Sequence, residues 1–505
     1  MANMPLSQTL VDLIEDAPGD RTAIVLPEDG AKVTYDSLRR QVQAVADHLA
    51  GVGIRRGDRV AMALPNGLPT IVGFLGAAVA GTAAPLNPGY REEEFKFYLQ
   101  DTDAKVLMLP PQGAEDARRA AGDRMPVVSI SSDADGTLHL GGDASAGTAS
   151  APSADDIALV LHTSGSTGRP KRVPLKHGNL AVSVRNVVDT YGLSPDDVSL
   201  CVMPLFHVHG LVASLLATLA SGGTVVVPAK FNALGFWRTV RDHDVTWYSA
   251  VPTMHQMLVA RAKGGEQPDA GRLRFIRSCS AALSPETMAL MEQAFGVPVL
   301  EAYGMTEASH QMASNPLPPG SRKAGSVGPG TGVRIGIMDA EGRLLAPGEH
   351  GEIVIQGPNV IEGYENNPEA NAASFSNGWF RTGDQGFLDD RGYLTLVARI
   401  KELINRGGEK ISPREIDELL LTHPQVAEAV AFGVAHRMWG EEVAAAVVLR
   451  EDATCTEADL LAFCRERMAG FKCPKTIHLT QTIPRTATGK IQRRVVAAAY
   501  AGQPA

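Results

Sequence analysis

Between Arg59 and Arg91 the chain carries no charged side chain. Such a stretch must leave water, either across a bilayer or inside a packed core. Leu64-Pro-Asn-Gly-Leu-Pro69 interrupts it, and Gly73, Gly76 and Gly81 punctuate the rest. No uninterrupted apolar run therefore reaches the roughly 20 residues of a membrane span. The pattern predicts a buried strand over Asp58–Leu64, a turn, a packed helix over Thr70–Ala80 stopped by Gly81, and a short strand over Thr82–Leu86. Just upstream, Leu38, Val42, Val45 and Leu49 recur at helical spacing.

Strands alternating with helices predict a parallel α/β architecture. The alternation resumes with Ile157–Leu161, Thr224–Pro228, a helix near Phe236–Arg241, and Thr246–Ser249. Ser131–Asp156 shifts to Asp, Gly, Ser, Ala and Thr, which reads as a surface loop or a poorly ordered connector. From Gly325 to Leu396 the pattern is β-rich, with strand candidates Val333–Ile337 and Glu352–Ile355. Ser412-Pro-Arg-Glu415 reads as a capping box that opens a helix with Ile416, Leu419 and Leu420 on its apolar face. Strands over Val426–Val434 and Glu442–Leu449 and a helix over Leu460–Met468 complete a small α+β unit. The expected organisation is a large N-terminal α/β domain with parallel sheets and a β-rich subdomain over 1–397, a junction at 398–402, and a small C-terminal α+β domain over 403–505.

At 505 residues, with 44% hydrophobic and 20% charged side chains, the chain is expected to be globular. Lys plus Arg number 47 against 56 Asp plus Glu, a net charge of −9. No broad positive field invites nucleic acid or an anionic membrane, though a local basic pocket stays open. The 5 cysteines include no C-x-x-C pair. They predict neither a disulfide scaffold nor a zinc ribbon, and a reducing, cytoplasmic compartment. Met1–Asp12 lacks the basic start and apolar core of a signal peptide, and the C-terminus carries no Ser-Lys-Leu address.

Four motifs carry chemistry. Thr163-Ser-Gly-Ser-Thr-Gly-Arg-Pro-Lys171 comes directly after an apolar strand. Its glycines and hydroxyls let backbone N–H groups converge on phosphate oxygens, with Lys171 adding charge; the alternative is a Ser/Gly-rich surface turn. Glu301-Ala-Tyr-Gly-Met-Thr-Glu307 offers a carboxylate and a threonine for Mg²⁺ and phosphate, and an aromatic for a base, or else an ordinary helix start. Thr382-Gly-Asp384, followed by Arg399, suits ribose hydroxyls or a β-turn. Pro484-Arg-Thr-Ala-Thr-Gly-Lys490 holds a lysine at a loop tip that reads as a mobile active-site cation or a solvated side chain.

Together, and with Ala398-Arg-Ile-Lys-Glu402 and Gly407-Gly408-Glu-Lys410, these motifs resemble the adenylate-forming superfamily of acyl-CoA synthetases, firefly-type luciferases and peptide-synthetase adenylation domains. The resemblance spans essentially the whole chain. It implies a two-step reaction, in which a carboxylate attacks the α-phosphate of Mg-ATP and a thiol then displaces AMP after the mobile C-terminal domain has turned. It implies that Lys490 is the adenylation lysine, that Thr306 and Glu307 hold the phosphates and Mg²⁺, and that Thr163, Ser164, Gly165, Ser166, Thr167, Gly168 and Lys171 cradle phosphate. Asp384 would bind ribose beside Arg399. Tyr303 would lie on adenine, next to Ser280, Ala281 and Ala282, with Glu301, Ala302, Gly304 and Met305 completing the nucleotide site. Lys401 matches the hinge, and Gly407, Gly408, Glu409, Phe471 and Lys472 match the coenzyme A side. Two positions depart from the pattern. Arg172 stands where Gly is usual, either altering loop mobility or placing a charge on the surface. Ala398 replaces a Gly and would stiffen the hinge.

The acid is read from polar residues. Phe206-His-Val-His209 follows Pro204-Leu205; as an extended segment it would put His207 and His209 on one face. A metal pair is the other reading, but no third ligand is spaced nearby. His310 and Ser280 add further polar groups, which suit a short anionic acid better than a hydrocarbon. Phe206-His-Val-His-Gly-Leu211, Ile276-Arg-Ser-Cys-Ser-Ala281 and Ser314-Asn-Pro-Leu-Pro318 resemble the oxalate–CoA ligases of plants, fungi and bacteria. That resemblance implies oxalate contacts from His207, Ser280, His310 and Asn186, with His209 alongside and His207 catalytic. Other acids, namely 4-coumarate, malonate or a medium-chain fatty acid, form the alternative, and a histidine at 310 discriminates against the apolar ones. A peptide-synthetase module, a luciferase-type oxygenase and a non-catalytic AMP sensor fit less well. The expected partners are oxalate, ATP and CoA, acting on a monomer or homodimer.

Overall fold

The computed structural model describes residues 8–163, 170–265, 268–486 and 491–500. Helix Leu68–Ala80 is buried along its length, which accounts for the uncharged stretch. It packs on helix Tyr35–Val52, whose Leu38, Val42, Val45 and Leu49 face the same core. Among the described residues no helix is long and apolar enough to cross a membrane.

That core joins two sheets. The 7-stranded sheet runs in the order Leu138–Gly141, Val127–Ser132, Ala104–Leu109, Arg59–Met62, Thr82–Pro85, Ile157–Thr163, Lys171–Lys176. The 8-stranded sheet runs His310–Ser314, Val299–Met305, Phe275–Ser278, Trp247–Ala250, Val198–Leu200, Thr224–Val226, Thr22–Leu26, Ala31–Thr34. Both have parallel interiors and antiparallel edges. Buried on both faces, the inner strands read as near-continuous apolar runs. Thr163, Ser278 and Met305 close the C-terminal ends of three strands, where open α/β sheets place their ligands.

A 5-stranded antiparallel sheet comes next, built on Arg334–Met338, Gly351–Gln356, Phe375–Ser376, Trp379–Leu388 and Leu394–Arg399. The 3-10 turn Ile400–Glu402 leads into a second 5-stranded sheet, with strands Ile404–Arg406, Glu409–Ile411, Val426–His436, Gly440–Leu449 and Thr476–Leu479. Its core is its own: Ile411, Ile416, Leu420, Val443, Leu460 and Ile477 cluster together. This is the α/β architecture expected from the sequence, with a large N-terminal part and a small C-terminal one.

Two local expectations are corrected. Ser412 does not cap helix Pro413–Leu421: its hydroxyl donates to the Val397 carbonyl at 2.8 Å, and Glu415 pairs with Lys472 at 2.8 Å. A contact across the 398–402 junction takes Ser412, and one within the C-terminal part takes Glu415, so neither is left for the local box. Ser131–Asp156 is not simply loop, because Val127–Ser132 and Leu138–Gly141 form an antiparallel hairpin. Beyond the hairpin the chain is tied down by Arg56, which donates to the carbonyls of Ser150 and Ala151 at 2.7 and 2.9 Å.

Candidate active site

Strands Ile157–Thr163 and Lys171–Lys176 pair antiparallel, setting Thr163 opposite Lys171. Ser164, Gly165, Ser166, Thr167 and Gly168, between them, lie outside the described residues, as does Lys490. Thr163 Oγ1 donates to Glu307 Oε1 at 3.3 Å, and Tyr364 Oη donates to the same oxygen at 2.9 Å. Lys171 Nζ stands 4.3 Å from the centroid of the Tyr364 ring, and burial pushes its ammonium below the usual lysine range. Thr306 and Glu307 are buried in a 3-10 turn at the end of strand Val299–Met305. Tyr364 was missed in the sequence, where nothing ties it to Glu307. Among the described residues no group of three or more His, Cys, Asp or Glu could hold a metal. A cation here would take Glu307 Oε2 together with phosphate oxygens and water. One carboxylate with phosphates is an arrangement that suits Mg²⁺.

Asp384 and Arg399 face each other across adjacent strands, with Arg399 Nε 3.3 Å from Asp384 Oδ1. Tyr303 Oη donates to Asp384 Oδ2 at 2.5 Å. Ala398, on the same strand, has no need of glycine's positive φ. Glu301 and Ala302 are buried in strand Val299–Met305. Glu301 Oε1 accepts the Leu283 N–H at 3.0 Å and so anchors the loop carrying Ser280, Ala281 and Ala282. The last two are exposed at that loop. Met305 pairs with His310 across the sheet edge, and a Cβ at Gly304 would collide with the His310 carbonyl. Glycine at 304 thus permits the close approach that brings His310 to the site.

The acyl side corrects the extended reading of Phe206–His209. Val208 is helical, at φ −56 and ψ −28, and His209 opens a buried π-helix, His209–Leu216. His207 and His209 therefore do not share a strand face: His209 is buried, while His207 is half-buried against Phe206. His209 Nδ1 lies 2.9 Å from Ser280 Oγ, and its ring centroid is 5.3 Å from that of His310, which is also buried. Ser280, at φ 72, and His310, at φ 110, hold backbone conformations that non-glycine residues rarely adopt. Such strain concentrates at functional sites. Asn186 packs against Gly332, where a Cβ would strike its amide, and Asn186 Nδ2 is buried with no hydrogen-bond partner.

Arg172 is pinned rather than a surface charge. It donates to the Asp101 carbonyl at 2.7 Å and lies 3.8 Å from Glu365, which also pairs with Arg59 at 2.5 Å. Lys401 is exposed in the turn Ile400–Glu402, and Arg493 Nε donates to the neighbouring Glu402 at 3.2 Å. Gly407 and Gly408, at φ 61 and 97, make the tight turn before Glu409. The Gly407 N–H donates to the Trp439 carbonyl at 2.8 Å, and Arg406 lies over the Trp439 ring. Phe471 is exposed and Lys472 is held by Glu415.

The profile of the family described as AMP-binding enzyme matches residues 13–365, and that of the AMP-binding enzyme C-terminal domain matches 415–490. The probable CoA ligase CCL9 of Humulus lupulus is 48% identical over 98% of this chain and 97% of its own. The oxalate–CoA ligase of Arabidopsis thaliana is 46% identical over 99% of this chain and 100% of its own. Among solved structures, ATP-bound MatB from Rhodopseudomonas palustris superposes with a TM-score of 0.89 at 32% identity, covering 98% of this chain and 99% of that one.

Proposed function

The chain belongs to the AMP-binding enzyme family and is an ATP-dependent acid–thiol ligase; on that premise we propose that its acid is oxalate and its product oxalyl-CoA. The observation that carries this reading is the meeting of buried His209 and His310 with Ser280. A desolvated second carboxylate needs hydrogen-bond donors, and these side chains offer them where a fatty or aromatic acid would want hydrocarbon. The similarity to a relative named for oxalate supports it.

In the first step an oxalate oxygen attacks the α-phosphorus of ATP, and the bond to pyrophosphate breaks. Thr163, Lys171 and the segment 164–168 would hold the phosphates. Lys490 would bridge the attacking carboxylate and the α-phosphate as negative charge builds. Mg²⁺, when bound at Glu307, would neutralise charge on the departing pyrophosphate. Asp384 would accept the ribose hydroxyls, and Tyr303 would face the adenine. His207, Ser280, His310 and Asn186 would hold the acid. The C-terminal domain then swings about Lys401, bringing Gly407, Gly408 and Glu409 to the site, with Phe471 and Lys472 toward CoA. The CoA thiolate attacks the oxalyl carbonyl carbon, and the bond to AMP breaks. We place this chemistry in the cytoplasm, in keeping with cysteines that are all unpaired, and on a monomer or homodimer.

ATP–pyrophosphate exchange without CoA tests the first step. Exchange should depend on oxalate and vanish in Lys490→Ala. Exchange driven by octanoate or 4-coumarate but not by oxalate would overturn the reading.

A further inference from the structure

Arg277 is fully buried, yet none of the ion pairs among the described residues involves it. Its guanidinium is met by neutral groups. Nε donates to Tyr191 Oη at 2.8 Å, Nη2 to Gln311 Oε1 at 3.2 Å, and Nη1 to Ser249 Oγ at 2.9 Å. An unpaired buried cation is costly, and the cost is tolerated where the charge serves a task.

Ser249 Oγ lies 2.6 Å from His209 Nε2, and Arg277 Nη1 lies 3.5 Å from that same nitrogen. An arginine only donates. An N–H on Nε2 would point toward the guanidinium donor, which favours Nε2 as the accepting nitrogen. Ser249 Oγ accepts a hydrogen bond from Arg277 Nη1 and donates its own hydroxyl to Nε2. The imidazole proton then sits on Nδ1, 2.9 Å from Ser280 Oγ. Ser280 is the end of the line: it is half-buried, and at φ 72 it holds a backbone conformation that non-glycine residues rarely adopt. Accepting from His209, it keeps its own hydroxyl proton to give.

We propose that Arg277 and Ser249 are positioning residues that touch no substrate, and that they set His209 as its Nδ1–H tautomer so that the Ser280 hydroxyl donates to the far carboxylate of a small dianionic acid. The inference rests on the oxalate reading for its ligand but not for its tautomer. Donors run in one direction, from a buried positive charge to the site. A dicarboxylate gains from this twice, by hydrogen bond and by field, whereas a monocarboxylate has no far group to receive the proton.

Two measurements test it. Ser249→Ala should raise the KM for oxalate about ten- to a hundredfold, the range of a lost charge-assisted hydrogen bond, while the KM for ATP stays put. Ser249→Thr, which keeps the hydroxyl, should restore it. A merely structural role for Ser249 would move both KM values together, and that result would overturn the proposal. Independently, ¹⁵N spectra of histidine-labelled wild-type enzyme, with His209 assigned by its loss in His209→Gln, should show Nδ1 protonated. A protonated Nε2 would overturn the relay whatever acid the enzyme takes. If wild-type enzyme shows Nδ1–H yet does not use oxalate, the relay stands and the oxalate reading fails.

Discussion

Tyr364 gives its hydroxyl proton to Glu307 Oε1 at 2.9 Å, across a separation of 57 residues in the chain. The bond joins the loop before helix Pro368–Ser374 to the turn that ends strand Val299–Met305, and it occupies one oxygen of the carboxylate proposed to hold Mg²⁺. Tyr364→Phe keeps the ring beneath Lys171 but removes the donor. The KM for Mg-ATP should rise about fivefold to thirtyfold, as for one lost hydrogen bond to a charged group, with the KM for the acid little changed. Initial-rate kinetics with each substrate varied in turn would measure this. Equal effects on both would mean that Tyr364 acts only on packing.

His310→Ala tests the acyl side. The imidazole is buried 5.3 Å from that of His209, on the strand that pairs with Met305. Oxalate turnover should fall by about tenfold or more, while ATP affinity, measured by calorimetry, stays within about twofold. Matching losses would remove His310 from the acid's surroundings.

Glu301 predicts a pH dependence of stability. Burial pushes its carboxyl up to about 7 from an ordinary value of 4.5. The unfolded chain therefore releases this proton first. Its stabilising contribution is complete below about pH 4.5 and is lost as pH rises through about 7, by up to about 3 kcal/mol. Glu301→Gln keeps an acceptor for the Leu283 N–H and removes the titration. Relative to wild type, the variant should be more stable at about pH 8 than at about pH 5 in denaturant melts. An unchanged difference between the two pH values would place Glu301 in contact with a compensating charge.

Arg493 joins the junction to helix Pro413–Leu421 and donates to the Ala431 carbonyl of strand Val426–His436. It pairs with Asp417 at 2.7 Å and with Glu402 at 3.2 Å, both partly buried. Arg493→Ala leaves Asp417 without its cation and should cost about 2–3 kcal/mol, less than a fully buried pair because water reaches the edge. Hydrogen exchange should report the loss in strands Val426–His436 and Gly440–Leu449 and spare the N-terminal sheets. Uniform loss across the molecule would mean the two parts unfold as one.

Much of the fold is legible in the sequence because its signals are local. An uncharged stretch broken by glycines can only be interior, and helix Leu68–Ala80 results from it. The chain-wide order of Thr163, Lys171, Glu307 and Asp384 is also local information, and the fold draws Thr163 and Lys171 to Glu307. What is hidden is what depends on distant partners. Ser412 has the spacing of a cap, but its hydroxyl goes to Val397. His207 and His209 look like strand neighbours, but a π-helix starts at the second of them. Arg277 reads as an ordinary strand residue, and only the packing of Tyr191, Ser249 and Gln311 around it exposes a buried charge.

The measurement that bears most directly on the central claim is ATP- and CoA-dependent thioester formation on a panel of oxalate, malonate, acetate, octanoate and 4-coumarate, with products identified by mass. The expected product is oxalyl-CoA, with AMP and pyrophosphate in equal amounts and kcat/KM highest for oxalate. A higher kcat/KM for octanoate or 4-coumarate would contradict it, leaving the acid–thiol ligase in place and the histidines as structural residues.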